Sequence, residues 1–217
     1  MPRTPAKRLS LKAICLAVVT FTTVAVTAGV AWAAYTDNMY PTQNQLSSCR
    51  SESGPDGDVT CQTDNSALNY YMDGSGTNML ETVDRNVVTN VLANIYGPTD
   101  LTVTYDTTPA FSGSAETDIV FEESAVGLSS SAAGATFCNN ASDTRRCDQQ
   151  YVRIRGGGYY TTGVTCHETG HAVGLLHGAQ AAPRKSNTDE ALGCMETPTD
   201  SFEVLDANNI ENINATY

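Results

Sequence analysis

Apolar residues between positions 78 and 95 recur at steps of three and four, which predicts an amphipathic helix with one buried stripe. Gly97 and Pro98 follow this segment and would end the helix. The stripe comprises Leu80, Val83, Val87, Val88, Val91, Leu92 and Ile95.

Short apolar or alternating runs on either side of this helix predict β-strands at 67–72, 101–105, 118–121 and 151–155. The segment 127–138 is rich in Ser, Ala and Gly and poor in bulky side chains. That composition favours an edge strand whose backbone can be approached closely. Residues 202–217 predict a closing helix with an apolar inner face, formed by Val204, Leu205, Ile210, Ile213 and Tyr217.

All three histidines of the chain lie within the eleven residues 167–177, which read HExxHxxGxxH. Residues four apart share one face of a helix, so His167 and His171 can direct two imidazole nitrogens at one metal ion. Glu168 lies beside them and can act as a general base without being a ligand. The spacing therefore predicts a catalytic metal site on a helix, with Thr161 or Thr162 as its N-cap.

The third histidine requires the chain to leave this helix. Gly174 can adopt the left-handed conformation that ends a helix and turns the chain back. His177 would then return as the third ligand. Three protein ligands leave a fourth position for water, which is typical of a catalytic zinc rather than a structural one.

Residues 1–33 are typical of a secretory signal peptide. Four basic residues precede an apolar segment, and Ala31-Trp32-Ala33 offers small residues for cleavage before Ala34. An uncleaved membrane anchor is the alternative, because residues 13–34 are barely long enough to span a bilayer. We expect cleavage, hence a secreted, extracellular protein without stable membrane association.

The net charge of −12 becomes −16 if residues 1–33 are removed, because four of the twelve basic residues and no acidic residue lie there. This charge argues against nucleic acid or an anionic membrane as a partner. Solubility outside the cell is the simple interpretation, and a preference for cationic substrates is the alternative.

Six cysteines follow the signal segment, and an even number in an exported chain indicates three disulfides with fifteen possible pairings. Proximity in sequence favours Cys49–Cys61 and Cys138–Cys147. The remaining pair would be Cys166–Cys194, which ties the start of the motif helix to the segment around Met195. A cysteine acting as a metal ligand or a latency thiol is the alternative. Residues 34–66 would form a disulfide-bearing N-terminal arm.

The extended histidine motif, followed downstream by Met195, resembles the metzincin clan of zinc endopeptidases. The order of predicted elements is similar to the matrixin branch and its secreted bacterial relatives, and the resemblance covers residues 67–217. It implies an α+β catalytic domain. Such a domain has a small mixed twisted sheet with an edge substrate strand, a backing helix, an active-site helix, a Met-turn and a C-terminal helix.

The resemblance also implies roles for individual residues. His167, His171 and His177 would bind one catalytic zinc ion, and Glu168 would be the general base for attack of a zinc-bound water on a peptide bond. Met195 would form the Met-turn beneath the histidines; the alternative is a buried gap-filling methionine, which has much the same physical role. The substrate would bind along the edge strand, at Ala132, Ala133, Gly134, Ala135 and Thr136.

The chain departs from the matrixin pattern in several respects. It has no further histidines for a structural zinc, and Thr197 stands where some metzincins carry an auxiliary tyrosine. No cysteine-switch propeptide is found, and no loop motif indicates structural calcium, which the acidic loops would still permit.

The expected function is that of a monomeric secreted zinc endopeptidase acting on proteins or peptides. A zinc-bearing secreted binding protein without catalytic activity is one alternative. A hydrolase of small amides is another.

Overall fold

A six-stranded, mostly parallel sheet and three α-helices make up the regular structure of the described residues, which are 35–52, 60–113 and 115–217 of a computed structural model. The strands are β1 (Gln62–Thr63), β2 (Asn69–Met72), β3 (Thr104–Tyr105), β4 (Ile119–Glu123), β5 (Gly134–Ala141) and β6 (Arg146–Ile154). The helices are α1 (Thr82–Val91), α2 (Thr162–Ala172) and α3 (Ala207–Thr216). The architecture is thus mixed α/β, and the predicted signal peptide lies outside the described residues.

The central strand β6 connects two parts of the sheet. It pairs in parallel with β1 and β4, and β4 continues through β2 to β3. On its other side β6 pairs antiparallel with β5, where Gly134 lies opposite Ile154 and Ala141 lies opposite Cys147. Within the described ranges β5 pairs with no strand except β6, so it lies at the edge of the sheet. The predicted edge strand therefore exists, but it begins later than expected.

Helix α1 packs against α2 and buries part of the predicted stripe. Val88, Val91 and Leu92 are fully buried and belong to the main apolar core. The helix is shorter than predicted, because it begins at Thr82 and changes to a π-helical turn over Leu92–Tyr96. The prediction that Val83 belongs to the buried stripe is wrong, since this residue lies in the first turn and is 67% exposed.

The closing helix begins later than predicted. Asp206 caps it, and the Asp206 and Asn209 side chains each accept from the other residue's backbone N–H. Residues 202–206 are therefore extended or turned, and Phe202 and Val204 are exposed instead of facing the core. The inner face is formed by the buried Ile213 together with the partly buried Ile210 and Tyr217.

The N-terminal arm packs behind the end of α2. Met39 and Asp37 form antiparallel bridges to Leu175 and Ala182, and the backbone N–H of Tyr40 donates to the carbonyl of Gly174 at 2.8 Å. The arm also contributes β1 to the sheet, which the sequence did not indicate.

No helix in the described part of the chain has the length and apolar character needed to cross a membrane.

Candidate metal centre

Helix α2 presents the first two histidines. Thr161, one of the two predicted candidates, is its N-cap, and its hydroxyl accepts from the backbone N–H of Val164 at 3.2 Å. The helix ends at Ala172, and Gly174 then takes φ +100°, as expected for the residue that turns the chain. A Cβ at this position would also lie 2.9 Å from the sulfur of Met39, so the arm leaves no room for a side chain.

The three imidazoles converge on one point. The Nε2 atom of His171 lies 3.1 Å from Nε2 of His167 and 3.1 Å from Nε2 of His177, and the third distance is 3.0 Å. All three side chains are buried, with at most 8% exposed. In the described ranges the other cluster with metal-ligand spacing is Cys49, Cys61 and Cys138, whose sulfurs are already in disulfides.

The outer ring nitrogens determine which tautomers are present. Nδ1 of His167 lies 2.6 Å from the carbonyl oxygen of Cys194, and Nδ1 of His171 lies 2.8 Å from that of Leu175. Carbonyl oxygens only accept, so each Nδ1 carries the proton and each Nε2 presents a lone pair. The two Nε2 atoms are 3.1 Å apart, so their lone pairs repel each other, and a cation between them removes that repulsion. The group can therefore hold a metal ion.

Thr199 is a further neighbour of His167. Its hydroxyl lies 2.8 Å from Nδ1 and donates to the carbonyl of Glu196 at 2.7 Å, so it can accept from the imidazole N–H. Such outer contacts fix ring orientation in metal sites. Nothing in the spacing of the sequence pointed to this residue.

Glu168 is 2% exposed and contacts strand β5 directly. The Thr136 hydroxyl lies 2.7 Å from the backbone carbonyl oxygen of Glu168 and 3.1 Å from its carboxylate Oε2. Tyr96 lies nearby, fully buried, with its hydroxyl donating to the carbonyl of Cys166 at 2.6 Å. Burial, and secondarily the charge of Glu168, raises the pKa of Tyr96 well above its usual value, so this donor keeps its proton.

Met195 is fully buried beneath α2. Its sulfur lies so close to Gly170 that a Cβ on that residue would overlap it. Gly170 sits between the two helical histidines, so Met195 supports the turn of helix that carries them. Gly193 precedes this segment with φ +48°, where a Cβ would lie 2.5 Å from the carbonyl oxygen of Val204.

The six cysteines form three disulfides. Two are the pairs that sequence proximity favoured, Cys49–Cys61 and Cys138–Cys147, and the third is the remaining pair, Cys166–Cys194. The alternative of a cysteine ligand or a latency thiol is wrong for these six residues, because every sulfur is bonded to another. The third bridge joins the residue before His167 to the residue before Met195.

A cavity of about 210 Å³ opens beside His167 and Glu168. One wall is formed by residues 131–134 and the other by Val164 and residues 197–199. Among the predicted substrate-strand residues, Ala132, Ala133 and Gly134 line this cavity. Ala132 and Ala133 precede the strand, Ala135 is fully buried, and the Thr136 hydroxyl contacts Glu168.

Arg155 holds the wall that contains Ala132. Its Nε donates to the carbonyl of Ala132 and its Nη2 to that of Ser129, both at 2.7 Å. The sequence pattern indicated only an outward charge at this position, because the loop that Arg155 binds lies more than twenty residues away.

A scan against protein-family models finds no match to this chain, and a search of the curated proteins finds none. The fold and the site by themselves define a mixed α/β protein with a buried three-histidine group that can hold a metal ion.

Proposed function

We propose that this protein is a secreted zinc-dependent endopeptidase of the metzincin type. The observation that carries the proposal is the convergence of three Nε2 atoms, 3.0–3.1 Å apart, next to the buried carboxylate of Glu168. A set of three imidazoles with one open position fits a catalytic zinc. The adjoining cavity and the sheet edge supply a place for a substrate.

His167, His171 and His177 would hold the zinc ion. When bound, zinc supplies a Lewis acid that polarises a peptide carbonyl and activates water near neutral pH. The carbonyl oxygens of Cys194 and Leu175 keep two of the imidazoles in the tautomer that presents Nε2.

Glu168 would transfer the protons of the reaction. Its carboxylate accepts a proton from the attacking water and later delivers it to the leaving amine nitrogen. Both roles require the carboxylate to face the cavity, and Glu168 is one of the residues that line it.

The substrate would bind in an extended conformation along β5. Main-chain hydrogen bonds to an open sheet edge hold a peptide without regard to its sequence, while a side-chain cavity adds selectivity. Since a compact protein offers few such segments, we expect unfolded chains and mobile loops as substrates.

Secretion is part of the proposal. Three disulfides are typical of proteins that mature in an oxidising compartment. The four basic residues before the apolar segment at the N-terminus agree with export.

Digestion of a chemically unfolded, fluorescently labelled protein tests the proposal. We expect wild-type protein to cut it, a chelator to abolish cutting, and added zinc to restore it. Glu168→Gln should cut at least 10³-fold more slowly, roughly the cost of losing a general base and its orientation, yet retain zinc. Glu211→Gln, an exposed glutamate on α3, is the matched control and should behave as wild type.

A wild-type protein that holds zinc but cuts neither this substrate nor a diverse peptide library would overturn the peptidase proposal. The same holds if Glu168→Gln cuts as fast as the wild type. The first result would instead favour a zinc-bearing binding protein, and cleavage of small amides alone would favour a narrower hydrolase.

A further inference from the structure

One face of strand β5 holds the side chain of Glu168. Gly134 and Thr136 are two residues apart in the strand, so they lie on the same face. Both lie against Glu168. Gly134 leaves the space that the Glu168 side chain occupies, and the Thr136 hydroxyl bonds to the Glu168 carboxylate. The other face and the edge of the strand are left for different contacts.

Thr136 connects the strand to Glu168 at two points. Its hydroxyl shares one proton between the backbone carbonyl oxygen, at 2.7 Å, and the carboxylate Oε2, at 3.1 Å. The side chain is only 9% exposed, and a β-branched side chain has few rotamers. The donor is therefore held in place and limits where the carboxylate can lie.

Gly134 limits the same carboxylate from the other side. A Cβ at this position would lie 2.9 Å from Cγ and 3.0 Å from Oε1 of Glu168, and 3.0 Å from the carbonyl oxygen of Arg153. The backbone oxygen belongs to the paired strand and cannot move easily. Any side chain at 134 would thus displace the carboxylate.

We infer that Thr136 is a positioning residue for Glu168, with Gly134 providing the space that the arrangement needs. This inference rests on the proposed function, since it assigns Glu168 the role of the general base. Thr136 acts through Glu168, because its hydroxyl is engaged by the two oxygens of that residue. Its loss should therefore lower kcat and leave KM nearly unchanged.

The test compares three variants by steady-state kinetics and zinc analysis. Thr136→Val removes the hydroxyl at nearly constant volume, and kcat should fall about 10- to 100-fold, as for a displaced catalytic group. Thr136→Ser retains the hydroxyl and should recover most of that loss. Thr169→Val is the matched control. Thr169 is buried in helix α2 beside Glu168, but its hydroxyl bonds to the carbonyl of Thr165 instead.

Zinc content should be unchanged in all three variants. Crystal structures of wild type and Thr136→Val provide a second readout that does not depend on activity. We expect the Glu168 carboxylate to move away from strand β5 in the valine variant.

The inference is overturned if Thr136→Val keeps kcat within about twofold of wild type, or if Thr136→Ser loses as much as Thr136→Val. It is also overturned if the carboxylate occupies the same position in both crystal structures. An inactive wild type would contradict the proposed function alone, and the crystal structures would then decide whether Thr136 positions Glu168.

Discussion

The carbonyl oxygen of Cys194 lies 2.6 Å from Nδ1 of His167, and Cys194 is covalently bonded to Cys166, the residue before that histidine. The imidazole is thus connected to the same segment by a covalent bond and by a hydrogen bond. The two connections fix the distance between α2 and the turn containing Met195. A histidine held in this way would lose little freedom on binding a metal ion.

Replacing both Cys166 and Cys194 by alanine should destabilise the protein and weaken metal binding. The bridge closes a sequence separation of 28 residues, for which chain entropy gives a loss of about 3 to 4 kcal/mol in unfolding free energy. Metal affinity, measured by competition with a chromophoric chelator, should fall about tenfold or more because the Cys194 carbonyl is no longer held against His167.

The paired control replaces Cys138 and Cys147 by alanine. That bridge closes a separation of 9 residues away from the histidines, so stability should fall by about 2 to 3 kcal/mol with metal affinity unchanged. Equal losses of metal affinity in the two double variants would show that the lower affinity comes from reduced overall stability and not from the position of Cys194.

Gly170→Ala should be destabilising despite the higher helix propensity of alanine. The new Cβ would overlap the sulfur of Met195 and lie 3.3 Å from the hydroxyl oxygen of Tyr96. We expect a loss of about 1 to 3 kcal/mol, typical of overpacking. The loss in the double variant with Met195→Ala should be smaller than the sum of the two single losses. A thermal-unfolding double-mutant cycle measures this coupling. Strict additivity would refute the contact.

Asn38→Ala should loosen the turn that carries His177. Asn38 is fully buried; its amide donates to the carbonyl of Leu176 at 3.0 Å, and its oxygen accepts from Asn212 at 2.6 Å. Leaving these partners unpaired should cost about 2 to 4 kcal/mol in unfolding free energy and also lower metal affinity. Asn94→Ala, at an exposed site, should change neither quantity. An unchanged metal affinity in Asn38→Ala would show that the N-terminal arm does not help to hold His177 in place.

Asp118 should make the protein less stable as pH rises. Burial, together with the nearby carboxylates of Asp64 and Asp148, raises its pKa to about 7, while a hydrogen bond from the backbone N–H of Asn69 opposes the rise. A raised pKa means that the folded state binds the proton more tightly than the unfolded state. The stabilisation is therefore complete below about pH 4 and lost as pH rises through 7.

Urea unfolding of the metal-free protein between pH 4 and pH 8 measures this effect. The unfolding free energy should fall across that range by up to about 4 kcal/mol more in wild type than in Asp118→Asn. Equal pH dependence of the two proteins would rule out this role for Asp118.

Local signals in the sequence were sufficient to predict part of the site. The N-cap at Thr161 and the left-handed turn at Gly174 follow from properties of single residues. Two of the disulfides follow from proximity in sequence, and the third is the pair that remains. These features depend on neighbours in the chain, which a sequence displays directly.

Strand β6 shows why other features could not be predicted. It begins at Arg146, five residues before the predicted start, and its first half contains Gln149 and Gln150. Both glutamines are buried, and their amides donate to backbone carbonyls: Gln149 to Ala110 and Thr117, and Gln150 to Ala172. Hydropathy patterns assign such residues to loops, since their partners are distant in sequence.

The same reason applies to the contacts around the metal centre. Thr136 and Glu168 are 32 residues apart, and Arg155 and Ala132 are 23 apart. Which strand pairs with β6 determines both contacts, and no periodicity encodes that choice.

Elemental analysis of protein purified without chelators measures whether the three histidines hold one zinc ion. We predict one zinc per chain in the wild type and in Glu168→Gln, and almost none in His171→Phe. A wild-type protein without stoichiometric zinc after exposure to it, or a His171→Phe variant that retains the metal, would mean that these histidines do not form the zinc site.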